Sequence, residues 1–171
     1  VNGARLSSYL RCKRYEKHLT ALNPDLVIFS IGTNDAYTRN FNRELYAGEY
    51  RELLNRTRAA APNAFIILTV PNDSYLYRRY VNRNTDPMRK IILQLAKEYH
   101  GAVWDFYTIM GGLNSAAAWH SLGLMAEDRV HFSVSGYELK GELFFSAFLK
   151  AWEDQLSIPD RYNNQSTHQV P

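Results

Sequence analysis

This chain takes its architecture from Leu26-Val27-Ile28-Phe29-Ser30-Ile31-Gly32-Thr33-Asn34-Asp35. The first six of these residues are almost all apolar, which is typical of a short parallel strand that is buried on both faces. A glycine and three polar residues follow at the point where that strand must end. Because sites in open α/β sheets form beyond the carboxyl ends of the strands, Asn34 lies where a functional residue is expected.

Two more apolar runs repeat this pattern along the chain, at residues 64–70 and 102–106. The segments around the three runs predict helices over residues 5–22, 44–61 and 87–99, a short helix capped by Asn114 or Ser115, and a last helix from a cap at Ser133 or Ser135 to Trp152. Residues 72–86 form a predicted loop whose length is typical of functional or mobile segments. Alternating helices and strands predict a parallel sheet with helices on both faces, in the α/β class. Three strands are few for such a sheet, so one or two further strands are expected before Gly3.

Composition fits one domain and argues against several classes of protein. The 171 residues and the hydrophobic fraction of 46% suit a single domain that buries a core. We place that domain at residues 1–157 and a polar, aperiodic tail at residues 158–171. The net charge is only +3 and the basic residues are scattered, so nucleic-acid binding is not expected. No apolar window approaches the roughly 18 residues of a membrane span.

The cysteine and the metal-ligating residues of this sequence predict neither a disulfide within the chain nor a metal site. Its one cysteine, Cys12, cannot form a disulfide within the chain. No group of His, Cys and Asp residues has the spacing of a metal site, and no glycine-rich phosphate loop is present. We therefore expect neither a metal nor a nucleotide cofactor.

A second polar stretch, Asp128-Arg129-Val130-His131-Phe132, lies in a predicted loop just before the last helix. An acid three residues before a histidine can accept the Nδ1 proton and fix the imidazole tautomer, which leaves Nε2 free to take a proton from a nucleophile. An isolated Asp-x-x-His is more often a surface feature, and Asn34 after Gly32 could equally form a plain turn. Their combination indicates an acyl-transfer site, since such a site needs both a base and donors for an oxyanion.

Three motifs of this sequence resemble, in order and spacing, three of the four sequence blocks of the SGNH hydrolases, the GDSL esterase/lipase family. They are Gly3, Gly32-x-Asn34-Asp35 and Asp128-x-x-His131. The resemblance covers almost the whole chain up to the tail. Residues 110–119 and the stretch after them look more like the branch that includes peptidoglycan and other carbohydrate O-acetylesterases. The resemblance implies a three-layer α/β/α, flavodoxin-like fold and an ester hydrolase that uses no cofactor.

The resemblance also implies a role for each matching residue. His131 would act as general base and then as general acid, and Asp128 would orient its imidazole. Asn34 would donate its side-chain amide, and Gly3 its backbone N–H, to the tetrahedral oxyanion. Asp35 would hold the loop that presents Asn34.

The family's nucleophilic serine is missing from this sequence. It belongs to a Gly-Asp-Ser motif at the end of the first strand, upstream of the block that holds Gly3, and no Gly-Asp-Ser occurs here. The serines that this sequence does contain stand in other sequence contexts and do not match that block. They include Ser7, Ser8, Ser30 and Ser115. Because the chain starts at Val1 and not at Met, we interpret it as a fragment whose nucleophile lies upstream and would donate a third oxyanion N–H.

The favoured substrate is an O-acetyl or other short acyl group on a carbohydrate such as peptidoglycan or a plant polysaccharide. An extracytoplasmic location is only what that substrate implies. We also predict that Tyr75 and Trp119 contact the substrate. The alternative for Tyr75 is an exposed loop, and the commoner role of aromatic residues in general is packing. The other hypotheses are a lipase, thioesterase or arylesterase of the same family, or a non-catalytic carbohydrate-binding domain that kept the fold. That last hypothesis would hold if the natural protein has Ala or Gly in place of the serine.

Overall fold

The computed structural model of the chain describes residues 3–156, so the tail predicted at residues 158–171 lies outside the described residues. The elements follow in the order α1 (Leu6–Leu10), α2 (Tyr15–Leu22), β1 (Leu26–Phe29), α3 (Thr33–Ala36), α4 (Arg43–Ala60), β2 (Phe65–Val70), β3 (Tyr75–Leu76), β4 (Tyr80–Val81), α5 (Thr85–Glu98), β5 (Ala102–Asp105), α6 (Phe106–Met110), α7 (Ser115–Ser121) and α8 (Val134–Leu156). Two short helices, α3 and α6, follow a strand almost directly and so lie at one edge of the sheet.

Three strands form the parallel sheet that the sequence predicted. Their order is β1-β2-β5, with Leu26 opposite Phe65 and Ile67 opposite Ala102. The helices α4 and α5 provide the long crossovers that parallel strands require. The α/β class and the flavodoxin-like architecture are therefore confirmed, and the carboxyl ends of all three strands meet at one edge.

Alternate residues of the central strand, β2, lie on one face of the sheet, and α4 and α5 cover that face. On β2, Ile66, Leu68 and Val70 are at most 1% exposed and share a core with Leu54 of α4 and Ile92 of α5. The buried positions of both helices recur every three or four residues, which places them on one helical face. Burying one such aliphatic side chain stabilises the fold by about 1.5–3 kcal/mol.

The opposite face of the sheet is covered over β5 but open beside β1. Trp104 of β5 packs edge-to-face on Phe144 of α8, with ring centroids 4.9 Å apart. Ile28 of β1 is 43% exposed and Phe65 of β2 is 51% exposed. Within residues 3–156, no strand pairs with the other edge of β1. The sheet therefore has a free edge next to an uncovered apolar surface.

The predicted single helix over residues 5–22 is wrong, because the chain forms α1 and α2 with a short break between them. Arg56 of α4 explains the break. Its guanidinium donates hydrogen bonds to the main-chain oxygens of Leu10, at 2.7 Å, and Cys12, at 3.1 Å, and forms an ion pair with Glu16 of α2. The last carbonyl groups of a helix lack partners within it, so this side chain replaces a further helical turn.

The predicted loop over residues 72–86 contains regular structure. Within it lie the β3–β4 hairpin and the start of α5, which begins at Thr85 and not near Pro87. Several of its polar side chains are buried: Asn72, Asp73, Ser74, Asn82 and Thr85. The short helices α3 and α6 were not predicted either, because four or five residues are too few to display a helical period.

Gly136, in the first turn of α8, is a position where we expect even the smallest side chain to destabilise the protein. A Cβ atom there would lie 1.9 Å from the main-chain oxygen of Leu124, so the helix or the segment below it would have to move. Overpacking of this kind typically costs about 1–3 kcal/mol. We predict that Gly136→Ala lowers the free energy of unfolding by at least about 1 kcal/mol, as measured by urea denaturation of the natural protein.

Gly141, in the same helix, provides the matched control. A Cβ atom added there would meet nothing within 4 Å. Alanine is favoured over glycine in a helix interior by about 1 kcal/mol, so Gly141→Ala should keep or raise stability. Equal losses of stability in the two variants would contradict the close approach at Gly136.

Candidate active site

The turn at residues 128–131 is built around one carboxylate. Oδ1 of Asp128 accepts hydrogen bonds from the main-chain N–H groups of Val130, at 2.8 Å, and His131, at 3.0 Å. Its other oxygen, Oδ2, lies 2.7 Å from Nδ1 of the His131 imidazole. The short Asp side chain thus closes the turn with one oxygen and orients the imidazole with the other.

The imidazole of His131 is open to solvent. Its side chain is 65% exposed, and Nε2 has no hydrogen-bond partner within residues 3–156. With the Nδ1 proton on the bond to Asp128, Nε2 carries the lone pair and can accept a proton. Partial burial of Asp128 opposes its ionisation, but the hydrogen bonds from His131 and Val130 outweigh that effect and lower the pKa of the carboxyl.

Asn34 and the Gly3 segment come together at the other half of the site. Nδ2 of Asn34 donates a hydrogen bond to the main-chain oxygen of Ala4 at 2.9 Å, and Oδ1 of Asp35 accepts one from the N–H of Leu6 at 3.2 Å. An Asn amide carries two N–H groups, so one remains for an oxyanion. Gly3 has a φ of +75°, a conformation that favours glycine. The structure therefore brings Asn34 into contact with the residue that follows Gly3.

A polar groove of about 190 Å³ opens beside Asp35, between the start of α1 and the connection from α3 to α4. Arg5, Asp35 and Glu49 contribute charged side chains to its lining. Burial raises the pKa of Asp35, and burial together with the nearby Asp35 charge raises the pKa of Glu49. Asp35 thus lines a polar groove, whereas neither Asn34 nor His131 is among its lining residues.

Amide side chains, of which Asn72 and Asn82 are buried and Asn84 is half-buried, join the two halves at the carboxyl edge of the sheet. Nδ2 of Asn82 and Nδ2 of Asn84 both donate to the main-chain oxygen of Ala36, at 3.2 Å and 2.9 Å, where α3 ends. Asn72, directly beyond β2, donates to the main-chain oxygen of Val130 at 3.2 Å. The segment after β2 therefore holds both α3 and the turn that carries the imidazole. None of these three amides was predicted from the sequence as part of the site.

The two predicted substrate-contacting residues, Tyr75 and Trp119, lie in a cluster of packed side chains. Tyr75 is 8% exposed, and its hydroxyl donates to Oδ1 of Asn114 at 2.6 Å. Trp119 donates its indole N–H to the main-chain oxygen of Met110 at 3.0 Å. Both side chains already have hydrogen-bond partners, and their contact with a substrate stays a prediction.

No serine in the described part of the chain forms a hydrogen bond with the His131 imidazole. Ser7 and Ser8 lie on α1, and the hydroxyl of Ser115 donates to the main-chain oxygen of Gly112 at 2.7 Å. Among residues 3–156, no group of three or more His, Cys, Asp or Glu side chains could hold a metal ion. The same residues include no helix that is long and apolar enough to cross a membrane.

Comparison with known proteins places the chain in a family. Residues 1–139 match the model of the GDSL-like lipase/acylhydrolase family, and the chain therefore belongs to that family. This is the SGNH/GDSL family that the three motifs predicted. No curated protein sequence matches the chain.

Several solved structures share its fold. A peptidoglycan O-acetylesterase is similar over 90% of this chain, with a TM-score of 0.83 and 23% identity, but the chain spans only 45% of that protein. A lipase/acylhydrolase from Enterococcus faecalis has a TM-score of 0.63 and 25% identity, over 83% of this chain and 69% of its own. An acetylxylan esterase from Geobacillus stearothermophilus has a TM-score of 0.61 and 24% identity, over 84% and 67%. At such identities the likeness shows a common fold.

Asp128 gives the site a testable dependence on pH. The pKa of Asp128 is lower in the folded protein than the ordinary value of about 3.9. The ionised carboxylate therefore stabilises the fold above about pH 3.9, and this stabilisation is lost as the pH falls through the lowered pKa. We predict that Asp128→Asn is less stable than the parent at neutral pH and that the difference shrinks below about pH 4. Urea unfolding of both proteins over a pH series measures it, and a constant difference would contradict the lowered pKa.

Proposed function

We propose that the full protein is a serine ester hydrolase that removes a short acyl group, most simply acetyl, from a carbohydrate. The observation that carries the proposal is the 2.7 Å contact between Oδ2 of Asp128 and Nδ1 of His131, which leaves Nε2 open to solvent. A binding module has no need of an imidazole that is oriented in this way. The domain predicted over residues 1–157 would carry the base and two oxyanion donors.

The proposed reaction follows the charge that develops when an ester is cleaved. A serine Oγ attacks the carbonyl carbon while Nε2 of His131 takes the hydroxyl proton, and Asp128 stabilises the resulting imidazolium. The carbonyl oxygen becomes an oxyanion, which the free N–H of the Asn34 amide and the main-chain N–H of Gly3 would stabilise. The carbon–oxygen bond to the alcohol then breaks, and the imidazolium returns its proton to that alcohol. A water molecule repeats both steps on the acyl-enzyme and releases the acid.

We propose that the nucleophilic serine belongs to a segment outside residues 1–171. The free edge of β1 offers that segment a strand partner, and the half-exposed Ile28 offers it apolar surface to cover. A parallel strand beside β1 would end at the same edge as Asn34 and the 128–131 turn. A serine at its carboxyl end would then face both the base and the oxyanion donors.

Likeness to carbohydrate esterases supports a sugar ester over a lipid ester as the substrate. Two of the similar structures are a peptidoglycan O-acetylesterase and an acetylxylan esterase, and this likeness supports the same substrate class. Release of acetate from an acetylated polysaccharide by the natural protein would test the class directly.

A serine-directed fluorophosphonate tests the proposed nucleophile. In that reaction the serine Oγ forms a bond to phosphorus, fluoride leaves, and the hydroxyl proton passes to His131. We predict a single adduct, located by peptide mapping of the natural full-length protein on a serine outside residues 1–171. In His131→Ala both the rate of labelling and ester turnover should fall by about a hundredfold or more, because general-base assistance is lost.

The matched control is His18→Ala, which removes an exposed histidine of α2. This variant should label and turn over at the parent rate. An adduct within residues 1–171 would refute the proposed position of the nucleophile. The absence of any adduct and of any turnover in the parent would instead favour a non-catalytic domain.

Asn34 offers a separate test of the oxyanion site. Because its amide would act mainly on the charge of the transition state, we predict that Asn34→Ala lowers kcat by roughly a hundredfold or more with little change in KM. Asn63→Ala, in an exposed turn, serves as the control and should retain the parent kcat. A parent-like kcat in a folded Asn34→Ala protein would remove this residue from the proposed role.

A further inference from the structure

Residues 72–75, which we call the clamp, form hydrogen bonds to the main chain of the 128–131 turn. Nδ2 of Asn72 donates to the main-chain oxygen of Val130 at 3.2 Å and to that of Asp73 at 2.8 Å. The main-chain N–H of Tyr75 donates to the main-chain oxygen of Arg129 at 3.0 Å. One segment thus binds the carbonyl groups of both middle residues of the turn.

The turn needs this support because its own geometry is not a relaxed one. Arg129 has a φ of +52°, a left-handed conformation that is unfavourable for a residue with a Cβ atom. Its guanidinium lies over the ring of Tyr75, 4.8 Å from the ring centroid, which attaches the same residue to the clamp a second time. The bonds from Asp128 fix the internal shape of the turn, whereas the clamp fixes where the turn lies relative to the sheet.

The clamp is itself held on two sides. It continues the central strand β2, and Asn72 is 4% exposed while Asp73 is fully buried. Oδ2 of Asp73 accepts a hydrogen bond from the main-chain N–H of Ala116 at 3.0 Å, in the first turn of α7. The hydroxyl of Tyr75 reaches Asn114, just before that helix, at 2.6 Å. A buried polar segment with these bonds cannot shift without leaving donors or acceptors unsatisfied.

We propose that Asn72 is a positioning residue, which sets the place of the His131 imidazole by holding the main chain at Val130. The inference rests on the proposed function, since it concerns the alignment of the proposed base with the ester. Asn72 acts through the turn and need not touch the substrate. A general base must lie within hydrogen-bond reach of the proton that it removes, and a misplacement of about 1 Å can cost about a hundredfold in rate.

The experiment uses the natural full-length protein and a small activated acetyl ester, 4-nitrophenyl acetate. In Asn72→Ala we expect kcat to fall about tenfold to a hundredfold with KM nearly unchanged, because an aligned base acts on the chemical step. Fluorophosphonate labelling should slow by a similar factor. Asn72→Asp should show the same loss, because it keeps the size of the side chain but cannot donate to Val130. Asn72→Ser provides the same measurement if Asn72→Ala does not fold.

Thr57→Val is the control for a loss of stability alone. Thr57 on α4 is fully buried and hydrogen-bonded to Tyr15 at 2.6 Å, yet it does not contact the clamp or the turn. This variant should unfold at lower denaturant concentration and keep the parent kcat. Folded Asn72 variants with parent kcat would overturn the positioning role while leaving the proposed function intact. A parent protein with neither turnover nor labelling would overturn the proposed function and this inference with it.

Discussion

The carboxylate of Asp128 makes three hydrogen bonds, and the geometry of the candidate site depends on them. One oxygen accepts the main-chain N–H groups of Val130 and His131, and the other lies against the imidazole, so one short side chain fixes both the backbone and the ring. Partial burial opposes ionisation of this carboxyl, but the hydrogen bonds favour the charged form and lower its pKa.

The sheet supplies the edge along which these groups meet, and amides join them. Asn72, Asn82 and Asn84 connect the segment after β2 with both α3 and the imidazole-bearing turn. An amide keeps its hydrogen-bonding pattern at every pH, since it does not titrate. Charged groups in these buried places would have to be paired or neutralised. Neutral amide donors therefore hold this site, whose own histidine must change its charge, at a lower desolvation cost than charged donors would.

Local patterns in the sequence were enough to predict the sheet and the residues proposed for catalysis, but long-range contacts were not. The three strands stand out in the sequence as short apolar runs, and Asn34, Asp128 and His131 stand in short motifs. The break between α1 and α2 depends on Arg56, more than 40 residues away. The bond from Asn72 to Val130 spans 58 residues. A signal for Asn72 did exist, because it follows the end of β2 as Asn34 follows the end of β1, and sites form at such positions.

Unfavourable local features gather at this same edge, and the core on the far side of the sheet supports them. Of the six non-glycine residues with positive φ in residues 3–156, four lie in loops at this edge, and the other two, Asn23 and His100, end helices. Oδ1 of the buried Asp73 has no partner among the described residues, and burial raises the pKa of this carboxyl. Each such feature costs stability, and proteins keep them where position matters more than stability. Two of these features, the positive φ of Arg129 and the unpartnered Oδ1 of Asp73, lie in the imidazole-bearing turn and in the clamp that holds it.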